Sequence, residues 1–200
     1  MRPFFLICTM KRHIVLKPGQ RLWFTADTHY SHTNFVLGES QWTDKSKTRP
    51  FQTTEEMNAV LVSNINRLVR EGDVLYHLGD FAFKSAEEVE KFRSRIRCKN
   101  LHLILGNHDH RIEESEGLRS MFSTVDYYVE LTVNGEHTES HLVLMHYPLS
   151  SWNRMHTGSI HLHGHLHSPP YDRRWQGRMD VGVDGNGMCP IEWSKVVGLF

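Results

Sequence analysis

Short apolar runs punctuate this chain, each closed by a glycine, an aspartate or another small polar residue. The runs Leu22–Ala26, Val74–Leu78, Leu101–Leu105, Leu142–Met145 and Ser159–His163 are rich in Leu, Val, Ile and aromatic residues. Their length and their boundaries predict buried β-strands. Between the first two the period changes: Met57, Val60, Leu61, Ile65, Leu68 and Val69 recur at helical spacing. Thr53 and Glu56 open that stretch as a capping box, the hydroxyl accepting from the Glu56 N–H and the Glu56 carboxylate reaching back, and Gly72 stands where a C-terminal cap is expected. A second box, Ser85 and Glu88, precedes Val89, Phe92 and Ile96 on one face. Further on, Tyr127–Val133, Asn134-Gly135 and His141–Met145 read as a hairpin, because Asn-Gly favours the two-residue type I′ turn. Strands alternating with helices, then antiparallel pairing in the second half, predict a mixed α/β domain.

Two hundred residues suffice for one such domain, and no repeat or linker divides them. Lys and Arg number 23, as do Asp and Glu, so the net charge is zero, which excludes a binder working through a broad basic field. The longest uncharged apolar run, residues 3–10, is far short of the ~20 residues that span a bilayer, and its flanks do not suit a secretory signal. Cys8, Cys98 and Cys189 are isolated and odd in number, which fits a reducing compartment and a cytoplasmic protein with no membrane partner. Met10 offers an alternative start, so residues 1–19 read as an N-terminal extension, partly disordered, ahead of a domain over 20–200.

Histidine changes the picture. There are 15, and histidine is both the commonest metal ligand and the usual proton carrier near neutral pH. Each predicted strand runs directly into a polar cluster: Asp27-Thr28-His29, Gly79-Asp80, Gly106-Asn107-His108-Asp109, His146, and Gly164-His165-Leu166-His167. Carboxyl ends of strands in α/β sheets converge on one crevice, so clusters distant in sequence can meet there. Two carboxylates, an amide oxygen and four imidazoles make a mixed set suited to Mn²⁺, Fe, Co²⁺, Ni²⁺ or Zn²⁺, whereas Mg²⁺ or Ca²⁺ would take nearly all oxygen. Seven donors exceed the needs of one ion and point to two, with Asp80 chosen as the bridging carboxylate and manganese as the favoured metal.

The five clusters, in this order, resemble the motifs of the calcineurin-like metallophosphoesterases, and the resemblance runs from about Leu22 to Val183. It implies a four-layer αββα sandwich. It also implies one metal held by Asp27, His29, Asp80 and His167, and a second by Asp80, Asn107, His146 and His165. Hydroxide on the metal pair would attack phosphorus in line. His108 would face the substrate as general acid, with Asp109 near enough to orient it. Asn107, His108 and Arg154 are candidate substrate contacts.

Blander roles compete at several positions. His161 and His163 read as core or supporting histidines, His77 and His102 as satisfied core residues, and Asp180 and Asp184 as a structural turn. His32 and Asn34 suit the cleft or a solvated loop. The protein Ser/Thr phosphatase branch would carry Asp-Arg-Gly after Gly79-Asp80, where Phe81-Ala82-Phe83 stands, so the chain resembles instead the small bacterial and phage-type phosphoesterases. With no long insertion to cap the crevice, a phosphodiester, as in a nucleotide or nucleic acid, is favoured over a monoester. Arg49, Arg111, Arg154 and Arg173 are candidate phosphate contacts for either. The alternative of another class is a metal- or nucleotide-binding module without turnover. No obligate protein partner is inferred.

Overall fold

The computed structural model describes residues 10–41, 43, 48–135, 139–169 and 174–200. In chain order its first strands are β1 (Met10–Val15), β2 (Leu22–Thr25), β3 (Val74–His77), β4 (Asn100–Ile104), β5 (Thr124–Asp126) and β6 (Tyr128–Asn134). They are followed by β7 (Glu139–Met145), β8 (Ile160–His163), β9 (Arg174–Trp175), β10 (Arg178–Asp180) and β11 (Ile191–Glu192). The helices are α1 (Thr54–Leu68), α2 (Ala86–Arg95), α3 (His110–Glu114), α4 (Glu116–Arg119) and α5 (Trp193–Val197).

The strands form two sheets, one in the order β11-β2-β3-β4-β5 and one in the order β1-β6-β7-β8-β10-β9. In the first, β2 to β5 are parallel and β11 is antiparallel. Alternation along β2 and β3 explains the layering. Leu22, Phe24, Val74 and Tyr76 face the second sheet and pack with Leu131, Val133, Leu142, Leu144 and Leu162. Their neighbours Trp23 and Leu75 face the other way, onto Val62 and Ile65 of α1 and Val89 and Phe92 of α2. Strands buried on both faces need near-continuous apolar sequence, which is why these runs stood out. Trp193 and Val196 of α5 close one margin of the inter-sheet core.

The fourth layer, outside the six-stranded sheet, is thin. Segment 147–159, with a single 3₁₀ turn at Met155–Thr157, lies there; Trp152 packs on His161 with ring centroids 5.3 Å apart, and the Leu149 N–H donates to His161 Nε2. No described helix is long and apolar enough to cross a membrane.

Several local expectations shift. Residues 10–15, assigned from sequence to an extension, form β1 and pair in parallel with Val129–Asn134 of β6; residues 1–9 lie outside the described residues. Thr53 caps α1 as expected, but Glu56 accepts from the N–H of Gln52 rather than of Thr53, and the helix ends at Val69 in extended conformation with Gly72 beyond it. Ser85 does not cap α2, and Glu88 is drawn to the Ser31 hydroxyl. The hairpin is present, but Asn134 belongs to β6 and pairs with Glu139, so the strands do not close through a two-residue Asn134-Gly135 turn; residues 136–138 lie outside the described residues.

Candidate metal centre

The loops leaving β2 and β3 are zipped together beyond the strand ends: the Asp27 N–H donates to Gly79 O (3.0 Å), that of His29 to Asp80 O (2.9 Å) and that of Tyr30 to Phe81 O (3.2 Å). On the other sheet the Gly164 N–H donates to His146 O (2.9 Å). These contacts hold the turns in unusual backbone. Asp27 (φ +55°), His29 (+46°), Asp80 (+56°), His165 (+71°) and His167 (+51°) all adopt the left-handed conformation that side-chain-bearing residues avoid. Each such residue costs on the order of 1–3 kcal/mol, strain that persists only where the surroundings over-determine it, and functional sites are where it gathers. Gly106 is fixed by crowding: a Cβ there would collide with Asp80 Oδ1 and, at 2.5 Å, with Asp80 N.

All seven expected donors converge on one cage. Asp80 Oδ1 accepts from the His108 N–H (2.9 Å), leaving Oδ2 3.3 Å from His29 Nε2 and 3.5 Å from His146 Nε2. Asn107 Oδ1 is 3.0 Å from both His146 Nε2 and His165 Nδ1. Donor atoms of Asp27, His29 and His167 lie within 4.8 Å of one another, as do those of Asp27, Asp80 and His146. Asp27 therefore also sits between the two groups, but both its oxygens accept from the His165 N–H, whereas among the described residues no donor bonds Asp80 Oδ2, which leaves that oxygen open to a ligand.

The protonation states show what fits at the centre. His146 Nδ1 points at Leu78 O (2.8 Å) and so must carry the proton, which leaves the Nε2 lone pair facing two oxygens. Burial keeps the His146 imidazole neutral, against the pull of Asp80. His29, buried to 2% exposure, has no hydrogen-bond partner on either ring nitrogen among the described residues; burial, then Arg49 and His167, hold it neutral too. Burial and the neighbouring Asp180 and Asp80 raise Asp27 well above the usual carboxylate range. Divalent cations suit such a set, because they favour ionised carboxylates and neutral imidazoles together. The mixed nitrogen and oxygen donors suit first-row transition metals.

Behind the donors stands a layer the sequence reading assigned differently. His167 Nδ1 donates to Asp184 Oδ2 (2.8 Å), fixing Nε2 toward the cage. Asp184 in turn receives Arg49 through Nε (2.8 Å) and Nη2 (3.0 Å), and the same guanidinium donates to the backbone carbonyls of Asp27 and Thr28. Burial raises the Asp184 pKa, but Arg49 and His167 outweigh it and hold the carboxyl well below its usual range. Arg49 is thus committed to the loop and does not reach a substrate phosphate. Asp180 accepts from the N–H groups of Ser168 and Gly182, anchoring the turn beside Asp27. The alternation in Asp180-Val-Gly-Val-Asp184 was the available signal for this pair; the turn it marks carries the supporting carboxylates.

Asp109 departs from expectation. Its carboxylate accepts from the backbone N–H groups of Asp80, Phe81 and Gly106, clasping two of the loops, and makes no hydrogen bond to the His108 ring. Burial pushes its pKa up to about 6, with those N–H groups opposing the rise. The half-buried His108 ring stands outside the donor set, edge-on to His29 (5.3 Å) and to Phe83 (5.5 Å). Arg154 does not stand where a substrate contact is expected: it pairs with His141, five residues and ~17 Å of strand from His146. Arg173 lies outside the described residues. His161 is engaged by Val143 O and the Leu149 N–H, and His163 by Gly164 O, in keeping with supporting roles. His102 Nδ1 meets Thr124; His77 Nε2 meets Thr28 while its Nδ1 has no partner, so His77 is only half satisfied. His32 stacks on Phe83 at the cage margin (3.7 Å).

Residues 20–181 match the family described as calcineurin-like phosphoesterase. An uncharacterized protein of Methanocaldococcus jannaschii, MJ1445, is 31% identical over 188 residues, covering 90% of this chain and 92% of that one. The crystal structure of AQ665 from Aquifex aeolicus, titled a protein of unknown function, covers 90% of this chain and 100% of its own with a TM-score of 0.62 at 20% identity, a likeness of fold. The nuclease MPE of Pseudomonas putida aligns less well, with a TM-score of 0.43 at 23% identity over 75% of this chain and 62% of that one. With its loops, its cage and its sequence in agreement, this chain belongs to the calcineurin-like phosphoesterase family.

Proposed function

We propose that the chain hydrolyses phosphodiesters with two divalent cations, one held by Asp27, His29, Asp80 and His167 and the other by Asp80, Asn107, His146 and His165. The observation that carries this reading is Asp80 Oδ2, free of donors among the described residues and lying between His29 Nε2 and His146 Nε2. Divalent cations held there supply Lewis-acid polarisation of a phosphoryl oxygen and a water nucleophile at neutral pH. The protein fixes the donors. The His108 N–H orients the Asp80 carboxylate, Leu78 O sets the His146 tautomer and Asp184 sets that of His167. His108, beside the cage and outside the donor set, gives its proton to the departing oxygen, a role worth about 10²–10⁴ in rate.

Two features favour a diester. Asn107 and His165 are exposed, so the cage opens to solvent and admits an elongated substrate such as a nucleotide or nucleic acid. Bidentate arginine suits a monoester dianion, yet Arg49 is spent on Asp184 and Arg154 lies at the far end of β7, which leaves Arg111 on the His108 side, where the leaving group departs. With Mn²⁺ added, the protein is expected to hydrolyse bis(p-nitrophenyl) phosphate and to leave p-nitrophenyl phosphate nearly untouched. Turnover of the monoester alone reverses the preference, and turnover of neither with metal bound favours a binding module.

A further inference from the structure

On the side of the cage where His108 stands, a cavity of about 150 Å³ opens, walled by Phe83, Lys84, His108, His110 and Arg111 over a floor that includes Ile112. It is smaller than the ~300–1,000 Å³ of sites for drug-sized ligands and has room for a phosphate. Its charge is one-sided. Among the described residues neither Lys84 nor Arg111 forms an ion pair, and the cavity's one carboxylate, Asp109, is occupied by three backbone N–H groups. Glu87, the acid whose field reaches Arg111, is fully exposed and bonded to Ser85. Lys84 is held in place: its φ is +72°, a strained value, while the Phe83 N–H donates to Tyr30 O (2.8 Å) and that of Ser85 to Phe83 O (3.1 Å).

We infer that the departing half of the substrate carries a second phosphate and that this cavity receives that phosphate, bound by Lys84 and Arg111. The inference rests on the reading of His108 as the donor to the leaving oxygen, because that role puts the leaving group on the His108 side. Two cations at one small concave site favour an anionic group over a neutral one, and charge-assisted hydrogen bonds to phosphate are the strong kind. The natural diester is then one within a longer polyanion, such as an oligonucleotide, rather than an isolated ester with an uncharged leaving group.

Thymidine dinucleotides test this. TpT, pTpT and TpTp share the same internal diester, and chromatography of the products identifies which nucleoside departs. The Mn²⁺-loaded protein is expected to cleave the dinucleotide whose extra phosphate leaves with the departing nucleoside at least about tenfold faster in kcat/KM than TpT. Lys84→Asn, chosen because Asn tolerates positive φ, and Arg111→Gln should each reduce that ratio about tenfold. Binding gives a second readout: thymidine 3′,5′-bisphosphate should bind wild type about tenfold more tightly than thymidine 5′-monophosphate, and Lys84→Asn should remove the difference. Equal rates on all three dinucleotides, or a preference that survives both substitutions, overturns the inference while bis(p-nitrophenyl) phosphate turnover leaves the diesterase reading standing. Loss of all diester turnover in the wild type overturns that reading and this one with it.

Discussion

Asp27 and His29 lie at the bottom of the cage, almost wholly buried, whereas Asn107 and His165 stand at its mouth in solvent. The inner group is braced from behind: Arg49 ties the Asp27-Thr28 backbone to Asp184, and Asp184 holds His167. All three inner donors, and the shared Asp80, have left-handed backbone; of the outer three only His165 does. At the mouth the Asn107 and His165 side chains meet each other while the His165 N–H is tied to Asp27, and His146, fully buried, is anchored to a carbonyl deeper in the fold. The contrast separates two tasks. A strained, braced and desolvated group holds a cation tightly, while an open group leaves coordination positions that water and substrate can share.

The largest effect expected is at the residue common to both groups. Asp80→Asn should cost turnover about 10³-fold or more and lower metal content at the same time, a heavier loss than the ~10–100-fold typical of a supporting residue; elemental analysis beside an assay checks this, and full activity with both metals retained would refute the bridge. Next is His108→Ala. It should keep both metals and slow turnover by about 10²–10⁴, most for esters with poor leaving groups, whereas an equal loss across leaving groups would make His108 a phosphate ligand. Asp184→Asn sharpens the contrast between inner and outer groups: calorimetric titration with Mn²⁺ should show the tighter affinity weakened about 10–100-fold and the weaker one unchanged. Equal weakening of both would erase the distinction.

The smallest effect lies away from the cage. Burial lowers His102 and His161 from the ordinary 6.5 to about 4. The unfolded chain therefore takes up these protons first as pH falls. The stability they contribute is complete above about pH 6.5 and is lost progressively down to about pH 4. Because the raised carboxyls of Asp27 and Asp109 act in the opposite sense, the effect is read as a difference: the thermal midpoint of the chelated protein relative to that of a His102→Gln, His161→Gln variant should decline over that window, and a constant difference would contradict the burial of both rings.

Most of the cage could be read from the sequence because each donor follows a strand whose apolar run is unmistakable, and parallel strands bring their carboxyl ends together. The bracing could not. Arg49 reaches Asp184 across 135 positions of sequence and has no periodic pattern around it, and nothing local distinguishes a buried guanidinium from a solvated one. Asp109 was misassigned for a related reason: its place beside His108 suggests a partner side chain, but the turn of Gly106–Asp109 aims its oxygens at backbone N–H groups. Edge strand β1 went unseen because it alternates exposed and half-buried residues with three charged or imidazole side chains among its six, a pattern that reads equally as a polar tail.

The central claim is that paired cations share Asp80, and anomalous diffraction from Mn²⁺-loaded crystals tests it most directly. Two peaks ~3.5–4 Å apart, flanking Asp80 Oδ2 with His29 beside one and His146 beside the other, are the predicted result. A single peak, or peaks remote from that oxygen, would contradict the account.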